Sequence, residues 1–446
     1  MFRKTNIIAL LFLLINCNNE LIPNWNVPEP FRGELAWVKV YGGSDEDIAK
    51  SIISLSEGGF AVIGNSNSTD GDFSEKTNAD RDLFLMKLKD DGSLLWKKTY
   101  GGSGDDIGNS LLQTTDGGFV LLGYSNSQDG DVSPTKGFHD NWILKVDKSG
   151  NTEWQNTYGF KGHDHAYNVI STTDGGYFFN GFLDVTASDG EGNDEKSTKR
   201  KRHGVGEFWC HKLDASGNLE WRCYFGGTSN DRSFDALQTT DGNFLMVGAT
   251  ESDDVDISIN KGSYDVWAVM ISPKGKMLWE KSFGGGLVDI ASGVIEDFKG
   301  NFKIVGNSFS QDQDIENPKG ESDIFQITID NLGNLIRSLN FGGSEFDMGK
   351  SLVEGYDGYL FLTGYSRSFD GDFTLNEGGN DIFLMQIHPN GTVVKSLTLG
   401  GNGEDFANDL LKTQSGSILV VGQSNSFDNP LIDNKGNIDI IIAKWK

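Results

Sequence analysis

Apolar residues in this chain fall in runs of four to eight positions, some alternating with polar residues and some continuous, and each run ends at a turn rich in Gly, Asp, Asn or Ser. That pattern predicts β-strands bounded by tight turns. In the stretch beginning at Asp106 it predicts four strands, over residues 106–114, 118–125, 140–147 and 152–157. The connections TTDGG and DKSGN are short enough for hairpins, with glycine taking the positive φ such turns require.

The same text then recurs. YGGSGDDIGNSLLQTTDGGFVLLGYSNSQDGD, from Tyr100 to Asp131, matches YGGSDEDIAKSIISLSEGGFAVIGNSNSTDGD from Tyr41 and FGGSEFDMGKSLVEGYDGYLFLTGYSRSFDGD from Phe341. The acidic residue opening each third strand stands at Asp82, Asp140, Glu207, Asp265, Asp323, Asp381 and Asp439, in steps of 58, 67, 58, 58, 58 and 58. Seven units of four antiparallel strands predict an all-β, seven-bladed β-propeller. Two residues into each first strand come Ala49, Gly108, Ala166, Ser233, Ala291, Gly349 and Ala407, all small, as crowding around an axis demands. The last unit stops at IDIIIAKWK without a fourth strand, whereas GELAWVKV, from Gly33 to Val40, supplies one at the other end. Pairing the N-terminal strand with the C-terminal three closes the ring and removes two open sheet edges.

The combination of GGSGDD, DGG or SGN before an aromatic, G-Y-S-x-S and D-x-F-x-x-K-x-D-x-x-G resembles the seven-bladed β-propeller repeats of bacterial extracytoplasmic proteins known as SBBP repeats. It is similar as well to repeat lipoproteins of Bacteroidetes. The resemblance runs from Leu35 to Lys446 and implies the architecture; propellers host binding, scaffolding and enzymatic roles alike.

A formal charge of -26 lacks the concentrated positive footprint of a nucleic-acid binder, so nucleic acid is excluded as a partner class. The start, MFRKTNIIALLFLLINCNNE, has basic Arg3 and Lys4, an apolar run from Ile7 to Ile15, and Cys17. That order marks an export leader. It resembles a lipoprotein signal, with Leu14 three positions before the cysteine and Asn16 where such signals usually carry Gly, Ala or Ser. The expected organisation is a signal peptide over residues 1–16, a lipid-anchor cysteine and proline-stiffened tether over 17–33, and the propeller over 34–446. An outer-membrane lipoprotein of the cell envelope follows, lipidated at Cys17 and touching the membrane only through its anchor; simple secretion is the alternative.

The loop before each first strand and the long loop between strands two and three should open on one face, and both are acidic. The long loops carry Asp70 and Asp72, Asp129 and Asp131, and Asp370 and Asp372. They offer oxygen ligands for calcium, though without the ordered spacing of an EF-hand. Equally, aspartates cap turns by accepting backbone N–H bonds, a need that recurs in every blade as a catalytic need would not. Unit three breaks the symmetry. It reads YGFKGHDHAYN where unit two has YGGSGDDIGNS, and its long loop holds the basic residues Lys196, Lys199, Arg200, Lys201 and Arg202. His163, His165, Tyr167 and His203, with Asp164 and with His139 from the neighbouring loop, form a candidate metal site or His/Tyr acid–base pair. The competing reading is surface histidines beside a solvated basic insertion. No nucleophile elbow, P-loop or zinc-spaced cysteine set is present.

Cys210 and Cys223 lie in strands three and four of unit three. The turn DASGN favours a three-residue loop, which would place them on opposite faces as two free buried thiols. The function expected is that of a monomeric binding or scaffold protein meeting envelope proteins or glycans across the acidic face. A carbohydrate-active enzyme centred on unit three, lyase or glycoside hydrolase, is the alternative, and a ligand-free spacer the third.

Overall fold

The computed structural model describes residues 30–193 and 203–446. The leader, Cys17, most of the tether and the basic residues Lys196 to Arg202 lie outside the described residues. Seven four-stranded antiparallel sheets make the molecule a seven-bladed β-propeller, six of them with strands neighbouring in chain order. Blade two consists of Asp106–Gln113, Phe119–Ser125, Asp140–Val146 and Thr152–Tyr158, each end within one residue of the sequence reading. Among the described residues there is no α-helix, only a 3₁₀ turn at Gly71–Phe73. The seventh sheet takes its outer strand from the N-terminus: Leu35–Tyr41 pairs with Asp439–Trp445, running from Leu35 opposite Trp445 to Tyr41 opposite Ile440.

Both faces of each sheet are covered, so strands two and three read as nearly continuous apolar runs. Each seam between blades buries its own layer of side chains. Leu85, Phe119 and Trp142 fill the seam of blades one and two, and Ile304, Phe325 and Val247 that of blades four and five. Each such side chain, once fully buried, contributes about 1.5–3 kcal/mol relative to exposure.

In every blade the pairing of strands one and two slips by one residue just after the small residue, for example between Ala49 and Ser51 and between Gly349 and Ser351. This bulge leaves one residue per blade unpaired and turns it toward the axis. Lys50, Asn109, Tyr167, Phe234, Ser292, Lys350 and Asn408 thereby line a central channel of ≈ 160 Å³. The glycine opposite the small residue is dictated by the same approach: a Cβ on Gly123 would lie 1.6 Å from the Ile107 carbonyl oxygen.

The cysteine register requires a correction. The hairpin does have the three-residue loop, with Asp214 N donating to Asn218 O at 2.9 Å. A bulge beside it, between Lys212 and Leu213, then shifts the pairing back by one, so Cys210 faces Cys223 directly instead of pointing to the other side. Both thiols are buried and not joined in a disulfide, with their sulfurs 3.3 Å apart.

Candidate functional site

The long loops and the pre-strand loops share one face of the ring, and the hairpin turns share the other. On the loop face, the aspartates that open the first strands are buried and consumed by turn chemistry. Asp47 accepts from Gly43 N and Ser68 Oγ, both at 2.7 Å, and from Ser66 Oγ. The long-loop aspartates tie their loops to the preceding one. Asp70 Oδ1 accepts from Ser44 N at 2.7 Å, Asp129 Oδ1 from Ser103 N at 2.7 Å and Asp370 Oδ1 from Ser344 N at 2.7 Å. Asp72, Asp131 and Asp372 accept from Gly42, Gly101 and Gly342 N, at 2.9, 3.2 and 3.0 Å. Lysines complete two of these: Lys435 Nζ reaches Asp72 at 2.6 Å, and Lys319 pairs with Asp372. Each of the six carboxylates thus accepts a backbone amide hydrogen, the turn-capping role that recurs from blade to blade.

The residues singled out in blade three divide. His163 and His165 meet His139 from blade two: His139 Nδ1 is 2.8 Å from His163 Nδ1 and 3.2 Å from His165 Nε2. The backbones of the two loops bridge at His139 and His163, and Asp164 N donates to His139 O at 2.8 Å. Asp164 itself is buried and holds Phe160 N and Asp184 N, at 2.7 and 3.0 Å. Burial pushes its carboxyl up to about 7. Burial likewise holds His165 down to about 3, helped by the neighbouring His139 and His163. His203 takes a different place, 3.1 Å from Glu207 Oε2 and against the Tyr224 ring. Tyr167 is the bulge residue of blade three and lines the channel; its ring stands edge-on to His165 at 6.4 Å, with no hydrogen bond between them. Burial raises its hydroxyl's pKa.

A second site was not foreseen from the sequence. On the hairpin face, a groove of ≈ 580 Å³ runs between blades five and six. Two aromatic rings stand out of its floor, Phe298 at 82% and Tyr356 at 59% exposure. Both occupy the first-to-second-strand turn, where the other blades carry Ser56, Thr115, Thr173, Thr240 and Gln414. That departure from the repeat was the available signal. The Lys412 ammonium lies 4.0 Å from the Tyr356 ring centroid. Lys303 bridges Glu354 at 3.0 Å, and Arg337 donates to Pro389 O at 3.0 Å, so charged and polar groups flank the rings.

No protein-family model and no curated protein matches the chain. Among solved structures it is similar to the WD40 β-propeller domain of Doa1, at 13% identity and TM-score 0.49, over 91% of this chain and 95% of that one. The WD40 domain of Neurospora crassa Pan2 is similar at 8% identity and TM-score 0.48, over 89% of each chain. A protein of unknown function from Dyadobacter fermentans is similar at 14% identity and TM-score 0.44, over 93% of this chain and 100% of that one. The assignment as a propeller rests on the seven sheets themselves.

Proposed function

We propose that this chain is an exported binding propeller that holds a glycan of the cell envelope in the groove between blades five and six. The observation that carries the reading is the pair Phe298 and Tyr356. Exposing two large aromatics in adjacent turns wastes burial, and the five other turns avoid it. A flat ring offers an apolar platform for the C–H face of a sugar. Asp297, Lys303, Glu354 and Asp357 in the same groove supply donors and acceptors for its hydroxyls. The leader supports export, and Cys17 supports anchoring to the outer membrane by lipid.

Titrating the protein with oligosaccharides selected on a glycan array tests this. Phe298→Ala with Tyr356→Ala is expected to weaken binding about tenfold or more, since each ring contact is worth about 0.5–1.5 kcal/mol. Both side chains are exposed, so the melting temperature should stay put. A double variant that binds as well as the parent would move the site elsewhere.

A further inference from the structure

The histidine cluster does not contribute to the groove and has no equivalent in the rest of the ring. The positions matching His139 are Arg81, Gly206, Tyr264, Ser322, Asn380 and Ile438. Those matching His163 are Glu46, Asp105, Asn230, Val288, Phe346 and Glu404, and those matching His165 are Ile48, Ile107, Arg232, Ile290, Met348 and Phe406. Six seams are therefore built without any histidine at these places, so the fold does not ask for one. Of the six histidines in the chain, three stand together at a single seam.

Their ring nitrogens converge: one from each lies within 4.8 Å of the other two. The hydrogen bonding cannot satisfy itself. His139 Nδ1 is within bonding distance of both His163 Nδ1 and His165 Nε2, yet a neutral ring nitrogen has either one proton to give or one lone pair to receive. The third nitrogen therefore has to turn to solvent or to another ligand. A cation accepting a lone pair from each ring resolves this. Zinc, with Zn–N bonds of about 2.0–2.1 Å in a tetrahedral arrangement, sets its nitrogens about 3.3 Å apart, so the widest pair has to draw in by about 1.5 Å at most.

The surroundings fix the rings. Tyr124 stacks on His165 at 3.9 Å with planes 5° apart, and Phe138 stacks on His163 at 5.2 Å with planes 13° apart. The Arg232 guanidinium, whose charge reaches His165, lies over the Phe182 ring, 4.6 Å from its centroid. The loops of this face and the whole chain are acidic, which concentrates cations at the surface. We infer that His139, His163 and His165 form a site for a divalent transition-metal ion, zinc by the character of its donors, with the fourth position open to water or an anionic ligand. Three imidazoles select this class over calcium, which takes oxygen ligands.

The full chain, stripped by chelator and dialysed, should take up one zinc per molecule by elemental analysis. It should also show the intense visible bands of tetrahedral cobalt when Co²⁺ replaces zinc. His163→Ala changes an exposed ring and should weaken zinc binding on the order of 100-fold, judged by competition with a chromophoric chelator. Zinc should raise the melting temperature of the parent and not of the variant, which separates loss of the site from loss of the fold. A parent that binds no stoichiometric zinc overturns the inference. So does an ion that survives His163→Ala, or one displaced by millimolar calcium, which would belong to the carboxylate loops.

Discussion

A chain lacking residues 35–40 is expected to melt about 10 °C or more below the full-length protein. The strand they form gives the seventh sheet its outer edge, with backbone partners from Ile440 to Trp445. It also seals two seams. Trp37 packs on the layer between blades seven and one, and Val38 and Val40 pack on the layer between blades six and seven. Losing three apolar contacts of about 1.5–3 kcal/mol each removes several kcal/mol, and each kcal/mol moves the melt of a large domain by about 2–4 °C. The truncation further exposes the hydrogen-bonding edge of Asp439–Trp445, so concentration-dependent association should appear. Differential scanning calorimetry with light scattering checks both. An unchanged melt would show that the ring does not depend on the closing strand.

The architecture was legible because the repeat does the counting: a fixed step between acidic residues at Asp82, Asp140 and onward gives blade number and register together. What the repeat hides is anything shared by every blade yet invisible in residue type. The bulge after Ala49 and its equivalents is one such feature, and it sends Tyr167 to the channel, away from the histidines with which sequence spacing had grouped it. The second bulge, beside Asp214, brought the two cysteines face to face. Departures from the repeat are legible where the residue type is rare in the chain. The histidines stood out by rarity, and His203 was grouped with them by residue type alone. Phe298 and Tyr356 are hidden because an aromatic in a glycine-rich turn reads as one more apolar residue of the strand that follows.

The seams carry a further consequence for pH. At six of the seven, the carboxyl opening a third strand meets the carboxyl opening the next blade's first strand, with the first glycine of YGG or FGG pressed between them. A Cβ on Gly400 would lie 2.2 Å from Asp381 Oδ1 and 2.9 Å from Asp405 Oδ2, and one on Gly101 2.4 Å from Asp82 Oδ1 and 2.5 Å from Asp106 Oδ2. Burial pushes Asp82 and Asp381 up to about 7 and Asp106, Asp265, Asp347 and Asp439 up to about 6; for Asp82, Asp265, Asp347, Asp381 and Asp439 the charge across the seam adds to it. The unfolded chain releases these protons near pH 3.9. Between that value and 6 to 7 the folded protein binds more protons than the unfolded one, so stability falls as pH rises. It is fully present below the unfolded value and lost as the pH passes the folded ones.

The melting temperature is therefore expected to drop by on the order of 10 °C from pH 5 to pH 8. His139, His165 and His211, all held below the usual histidine range by burial, oppose part of this fall, since the unfolded chain gives up their protons as the pH rises to about 6.5. Two other sets of groups act at the edges of the window. Glu57, Asp116 and Asp174, each held down to about 2, with bonds to a neighbouring lysine among the causes, cost stability as pH falls through about 4 to 2. Lys50 in the channel, brought down to about 8 by burial, returns stability as the pH rises above that value. Asp381→Asn isolates the cause. Asp381 Oδ2 accepts from Glu377 N at 2.9 Å, whereas Asp381 Oδ1, the oxygen on the Gly400 side, is buried without a partner. An amide oxygen keeps the first bond, and the amide nitrogen gives Asp405 a donor in place of a like charge. The variant should melt above the parent at pH 8, match it near pH 4, and show a shallower slope between. A parent whose melt rises from pH 5 to pH 8, or a variant that melts lower at pH 8, would mean that these carboxyls are ionised in the folded ring and stabilised by something other than each other's protons.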